Sequence, residues 1–372
     1  MLTCRLECGV KMAVKEKYDL KKPGTRKLVE KIHHGVYVKE GLAIAFPLCF
    51  PGATIQIPHD ESFITALSVG PRGMIYGGTS GAAAHIFVAM FKGVTGCVLD
   101  LGTPEKMNEV TSVWCGGEEW FAACNGKSGG AVFKGKCQPM PFDLIQEWSF
   151  TILPIEKVYE FTDEKIINVV PRGKKGIFII TDKRFMCITN GKEKVYKTDM
   201  LAERISPAAD GEFLAGIKSE KSVWIFDIRT EKFSEIKLSG RSDRIKRNIV
   251  WTYAEHAKKL YFGDSSGNVF FVARNKVSRI GKTPLRSITT LTTIPDGRIY
   301  GTCGDTMEHI FCWNPVGGKI KDVGIAVSVI ERRRYGYMFG AAVSNSDGII
   351  FFGEKDNLGH LWLYFPPILG NK

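Results

Sequence analysis

Three stretches of the chain repeat one pattern. Gly73-Met74-Ile75-Tyr76-Gly77-Gly78-Thr79 is followed by His85-Ile86-Phe87 and then by Gly96-Cys97-Val98-Leu99-Asp100-Leu101-Gly102. Gly297-Arg298-Ile299-Tyr300-Gly301-Thr302 is followed by His309-Ile310-Phe311 and by Gly318-Lys319-Ile320-Lys321-Asp322-Val323-Gly324. The third copy is partial: Gly348-Ile349-Ile350-Phe351-Phe352-Gly353, then His360-Leu361-Trp362. A strand–turn–strand unit recurring every roughly 40–45 residues is the sequence form of a β-propeller blade. It predicts an all-β chain, because each unit can bury its apolar face only against a neighbour.

Short β-rich runs broken by Gly, Asp and Pro continue through the rest of the chain, with almost no helical periodicity. Second-strand anchors are legible at Tyr76, Trp120, Ile177, Phe213, Leu260, Tyr300 and Phe352, each followed by a third strand. The expectation is a single β-propeller of about seven four-stranded blades over residues 46–372, behind a lysine-rich lead-in at 1–45. The chain stops after the third strand of its last blade. An N-terminal strand must then close the ring, and Ala53-Thr54-Ile55-Gln56-Ile57 is the segment expected to do so. The stretch between Cys137 and Asp163, with Pro139, Pro141 and Pro154, reads as the longest irregular insertion.

The 51 Lys and Arg outnumber the 39 Asp and Glu, a formal charge of +12. That balance favours an acidic partner: an acidic glycan or another polyanion, with nucleic acid allowed although no motif for it is present. The cysteines at 97, 115, 124, 187, 303 and 312 fall in apolar strand-like runs, where a free thiol acts as a small hydrophobe. Together with an N-terminus lacking an apolar signal core, this predicts a cytoplasmic protein with no transmembrane segment. No metal-ligand spacing stands out, and Gly126-Lys127-Ser128 lacks the glycine and helix of a phosphate loop, so neither a metal nor a cofactor is expected. The oligomeric state is not legible.

Two groups of residues could carry function. The histidines at 85, 309 and 360 open third strands at nearly the same offset, which suits a hydrogen bond that every blade needs, with an imidazole nitrogen satisfying a backbone group. His85 has the most accessible setting, because Ser80 to Ala84 are small. The second group is arginine-rich. Arg241, Arg244 and Arg247, then Arg286, then Arg332, Arg333 and Arg334 with Tyr335 and Tyr337, lie in three successive inter-blade loops. Such loops share one face of a propeller. Guanidinium groups there suit bidentate capture of carboxylate, sulfate or phosphate, and neighbouring tyrosines offer a stacking surface.

The repeated pattern resembles the propellers of polysaccharide lyases and their uncharacterised relatives, which carry Gly-x-x-Tyr-Gly-Gly-Thr, His-Leu-Phe-like and Gly-x-Val-x-Asp-Leu-Gly strands. The match is best around Tyr76 and Tyr300 and partial around Phe352. The resemblance implies β-elimination on a uronate, with an arginine neutralising the carboxylate and histidine and tyrosine moving the protons. On this chain it implies His85, Tyr335 and Arg334 as the catalytic set. Arg241, Arg244, Arg247, Arg286, Arg332, Arg333 and Tyr337 would then bind the substrate. The alternative is a non-catalytic interaction scaffold whose basic face docks an acidic protein, nucleic acid or membrane surface.

Overall fold

The computed structural model describes residues 39–48, 57–92, 95–137, 154–173, 176–197, 203–240, 242–255, 257–329, 334–356 and 359–368. They form antiparallel sheets in seven consecutive units, at residues 63–102, 107–162, 166–196, 213–237, 250–282, 288–325 and 339–365. Each expected second and third strand falls inside a strand of its unit, except that His85 stands just ahead of Ile86–Lys92. A single pairing, Ser80 with Glu109, joins the first two units into one eight-stranded sheet. The fourth unit has three strands; in place of a regular first strand, Ser206 Oγ accepts from the Ala215 N–H at 2.8 Å. Part of the expected insertion is ordered sheet: Glu156–Thr162 is the fourth strand of the second unit, paired with Gly129–Lys136. Residues 138–153 lie outside the described residues.

The repeat has a packing reason. Tyr76, Tyr300 and Phe352 are fully buried, as are Phe87 and Phe311 two residues beyond the repeated histidine. The glycine after each anchor is a site of close approach. A Cβ at Gly77 would lie 2.1 Å from the Phe87 ring, and one at Gly301 would lie 2.2 Å from the Thr290 carbonyl oxygen. Only glycine lets the third-strand aromatic lie flat across the second strand.

First strands of neighbouring units lie side by side. Phe63–Val69 packs between Met107–Gly116 and Phe339–Ser344, Ile166–Arg172 lies beside Met107–Gly116, and Ile288–Thr293 packs between Val250–Ala254 and Phe339–Ser344. The seventh unit takes its fourth strand from the N-terminal side of the chain. This strand is Leu42–Pro47, running antiparallel to His360–Phe365 with Leu42 opposite Phe365 and Pro47 opposite His360. The expectation of an N-terminal strand holds, but the segment is upstream of the one expected. Residues 53–56 lie outside the described residues, and Ile57 is a buried residue whose N–H donates to the Leu48 carbonyl at 3.3 Å. The sheet structure accordingly starts before residue 46, and Lys39 already anchors the chain by donating its N–H to the Val323 carbonyl at 2.7 Å. Pro47, with no N–H to offer a ladder, stands at the strand's end.

Candidate functional site

Loops joining second to third strands meet connectors between units through backbone hydrogen bonds. Such bonds recur across units five to seven. The Ser265 N–H donates to the Arg247 carbonyl at 3.2 Å, Ser287 to Ser265 at 2.9 Å, and Gly304 to Ser287 at 3.1 Å. Farther along, Glu308 donates to the Tyr337 carbonyl at 2.8 Å and Lys355 to the Met338 carbonyl at 2.7 Å. Backbone hydrogen bonds therefore link into one strip the segments that carry Arg247, Arg286 and Tyr337, which are distant in sequence.

Carboxylates rather than backbone groups engage the side chains of the repeated histidines. His85 is almost fully buried, with Nδ1 2.9 Å from Asp100 Oδ2 and Nε2 2.7 Å from Glu61 Oε2. His309 Nδ1 lies 3.0 Å from Asp322 Oδ1. Asp100 and Asp322 occupy the same place in the repeat, and each also accepts the N–H of the glycine two residues on, at 2.9 and 3.0 Å. In the seventh unit the fourth strand is Leu42–Pro47, which carries no carboxylate, so the partner comes from the second strand instead. Glu354 is fully buried; its Oε2 lies 2.9 Å from His360 Nδ1 and 2.6 Å from Arg334 Nη2.

These contacts set the protonation chemistry. Burial alone would lower the His85 pKa, but hydrogen bonds and charge from Asp100 and Glu61 outweigh it and hold the imidazolium above its ordinary range. A histidine gaining partners in this way adds stability that is fully present below its unfolded value of about 6.5 and fades as pH rises through the folded value. The denaturation free-energy gap between wild type and His85→Gln is thus expected to be widest near pH ~6 and to shrink by pH ~9. A gap that widens with pH would show a neutral ring instead. Asp322 is held down to about 2: burial pushes it up, but hydrogen bonds from His309 and Lys39 and their charges prevail.

The arginines divide into two classes. Arg334 is mostly buried and committed to Glu354, with Asp356 Oδ1 a further 3.6 Å contact, and Arg244 pairs with Glu220 at 3.2 Å. Arg247 and Arg286 are exposed and have no ion-pair partner among the described residues. Arg241, Arg332 and Arg333 lie outside the described residues. Tyr335 is half-buried and bridged to Val327, whereas Tyr337 is exposed. The structure thus brings Arg247, Arg286 and Tyr337 onto one strip and takes Arg334 into the interior.

Sequence reasoning missed an apolar component of the strip. Met307, Tyr337 and Met338 are 39%, 40% and 38% exposed. The Glu308–Tyr337 backbone bond brings the first beside the other two. Beneath them Glu308 is buried, with Oε2 accepting from Thr289 Oγ1 at 2.6 Å and Oε1 without a partner among the described residues. Burial pushes this carboxyl up to about 7 against the hydrogen bonds of Thr289 and Thr302.

Compared against protein families and against curated proteins, the chain matches none of them. The likeness to polysaccharide lyases therefore rests on the quoted motifs alone. Among the described residues, no helix is long and apolar enough to cross a membrane.

Proposed function

We propose that the seven units close into a β-propeller that acts as a non-catalytic docking scaffold, taking an acidic protein segment on the strip between Arg247 and Lys355. Support for the ring comes from the first strands lying side by side and from Leu42–Pro47 completing the seventh sheet. The observation that carries the function is the composition of the strip: Met307, Tyr337 and Met338 stand exposed, flanked by the exposed cations Arg247, Arg286 and Lys355, which have no ion-pair partner within 4 Å among the described residues. Methionine, tyrosine and arginine are the residues enriched at protein interfaces, and a few such anchors dominate binding energy.

Two competing partners fit less well. A nucleic acid presents a uniform row of phosphates, and exposed Asp305, hydrogen-bonded to Ser287 at 2.5 Å, interrupts the cations on the same strip. Elimination on a uronate needs a free base and a free arginine. Both His85 nitrogens are already engaged, and Arg334 is already paired with Glu354.

The test is a fluorescence anisotropy titration with a labelled peptide alternating Glu with Leu and Phe. Wild type should bind it saturably, and Tyr337→Ala/Met338→Ala should weaken binding about tenfold or more, the cost of losing two interface anchors. Equal affinity for the two proteins would remove the strip from the account.

A further inference from the structure

Seven cysteines among the described residues are free thiols, and two of them meet. Cys115 ends the first strand of the second unit and Cys137 follows the end of its third strand, with Glu119–Gly126 running between those strands. Strands so arranged hold their side chains well apart. Here the chain folds over the end of the middle strand. The Cys137 N–H donates to the Glu118 carbonyl at 2.7 Å, within the hairpin that joins the first strand to the second. The two thiols consequently act on each other and pack on the same cluster, which contains Met74 and Tyr76.

We propose that Cys115 and Cys137 form a reversible disulfide on exposure to a hydroperoxide, with Cys137 as the attacking thiol and Cys115 as the resolving one. The side chains around them assign these roles. Cys137 is half-buried, so a small oxidant can reach it. The neighbouring Cys115 thiol lowers its pKa, burial and the nearby Glu118 and Glu119 oppose this, and the Tyr76 hydroxyl assists. Cys115 moves the opposite way: interaction with Cys137 and burial both raise it, and Ser68 only partly offsets them. The thiolate is the nucleophile, so an accessible low-pKa cysteine beside a resolving cysteine is the arrangement that peroxide selects.

The chemistry balances without a cofactor. The Cys137 thiolate attacks one peroxide oxygen, the O–O bond breaks, and hydroxide leaves to take up the proton released from Cys137. The resulting sulfenic acid is attacked by Cys115, whose proton goes to the departing hydroxide. Two thiols and one hydrogen peroxide give one disulfide and two waters. Among the described residues the remaining cysteines lack these features. Cys124, Cys187, Cys303 and Cys312 are buried, and burial pushes the Cys97 thiol up with nothing to offset it.

The experiment treats the full chain with a small excess of hydrogen peroxide, blocks residual thiols with iodoacetamide and maps the peptides without reduction. The expected product is a Cys115–Cys137 cross-linked peptide that dithiothreitol releases. It should be absent from Cys137→Ser and unchanged in Cys97→Ser. Cys115→Ser, lacking the resolving thiol, should retain a sulfenic acid at Cys137 that dimedone traps. Full alkylation of both cysteines in folded, peroxide-treated protein would overturn the proposal, as would a disulfide mapped elsewhere. Alkylation rates in untreated wild type give a check that needs no variant. Cys137 should react with iodoacetamide near neutral pH at least about tenfold faster than Cys97, and equal rates would contradict its assignment as the attacking thiol.

Discussion

Deleting the chain through Pro47 is expected to lower stability by more than about 5 kcal/mol, exceeding the effect of any single side chain. The strand removed buries Ala43, Ile44 and Ala45 and partly buries Phe46. Each large apolar side chain so buried contributes about 1.5–3 kcal/mol, and every ladder hydrogen bond to His360–Phe365 goes with them. The deletion also turns His360–Phe365 into an open edge, with Leu361, Trp362, Leu363 and Tyr364 exposed along it, so aggregation should accompany the loss. Removing only residues 1–22 leaves Leu42–Pro47 in place and serves as the control. Denaturant melts check both. Equal midpoints for the longer deletion and the control would mean that the seventh sheet stands without its fourth strand.

Phe352→Ala and Tyr300→Ala should each cost about 3–5 kcal/mol, the range for emptying a large aromatic core position. Both side chains are fully buried in one cluster that also holds Trp362 and Tyr364. Tyr300 should fall at the upper end, because its hydroxyl accepts from Arg298 Nη1 at 2.7 Å and the guanidinium would lose that partner. Losses below about 1 kcal/mol in urea melts would mean that the surrounding side chains collapse into the space left behind.

The strands were legible where a local pattern decides them. Each anchor is an aromatic or apolar run that packing buries, and the glycine after Tyr76 and Tyr300 is demanded by a contact within or beside its own unit. The closing strand was misplaced because 42–47 and 53–57 are both short apolar runs, and only the partner at 360–365 distinguishes them. The carboxylate partners of the histidines were half legible. Asp100 and Asp322 recur with His85 and His309 in the repeat, a signal that the backbone-satisfying reading passed over. Glu61 could not be found in that way, since it comes from the connector ahead of the first unit and reaches His85 only through the fold. Glu354 was hidden for a related reason: it substitutes for a repeat aspartate that the closing strand does not carry. Net charge also says nothing about which guanidinium groups are already paired. Arg334 looked like its neighbours in sequence, yet a buried glutamate holds it.

A scaffold that docks an acidic segment and an enzyme that cleaves a uronate make opposite demands on the same face. The most direct measurement gives wild-type protein the labelled Glu-rich amphipathic peptide in one titration and polyuronate in a parallel near-ultraviolet absorbance assay, which detects unsaturated product. The docking account predicts saturable peptide binding that weakens as salt rises, with no gain in absorbance from polyuronate. A steady absorbance rise that His85→Gln abolishes, together with no saturable peptide binding, would contradict it.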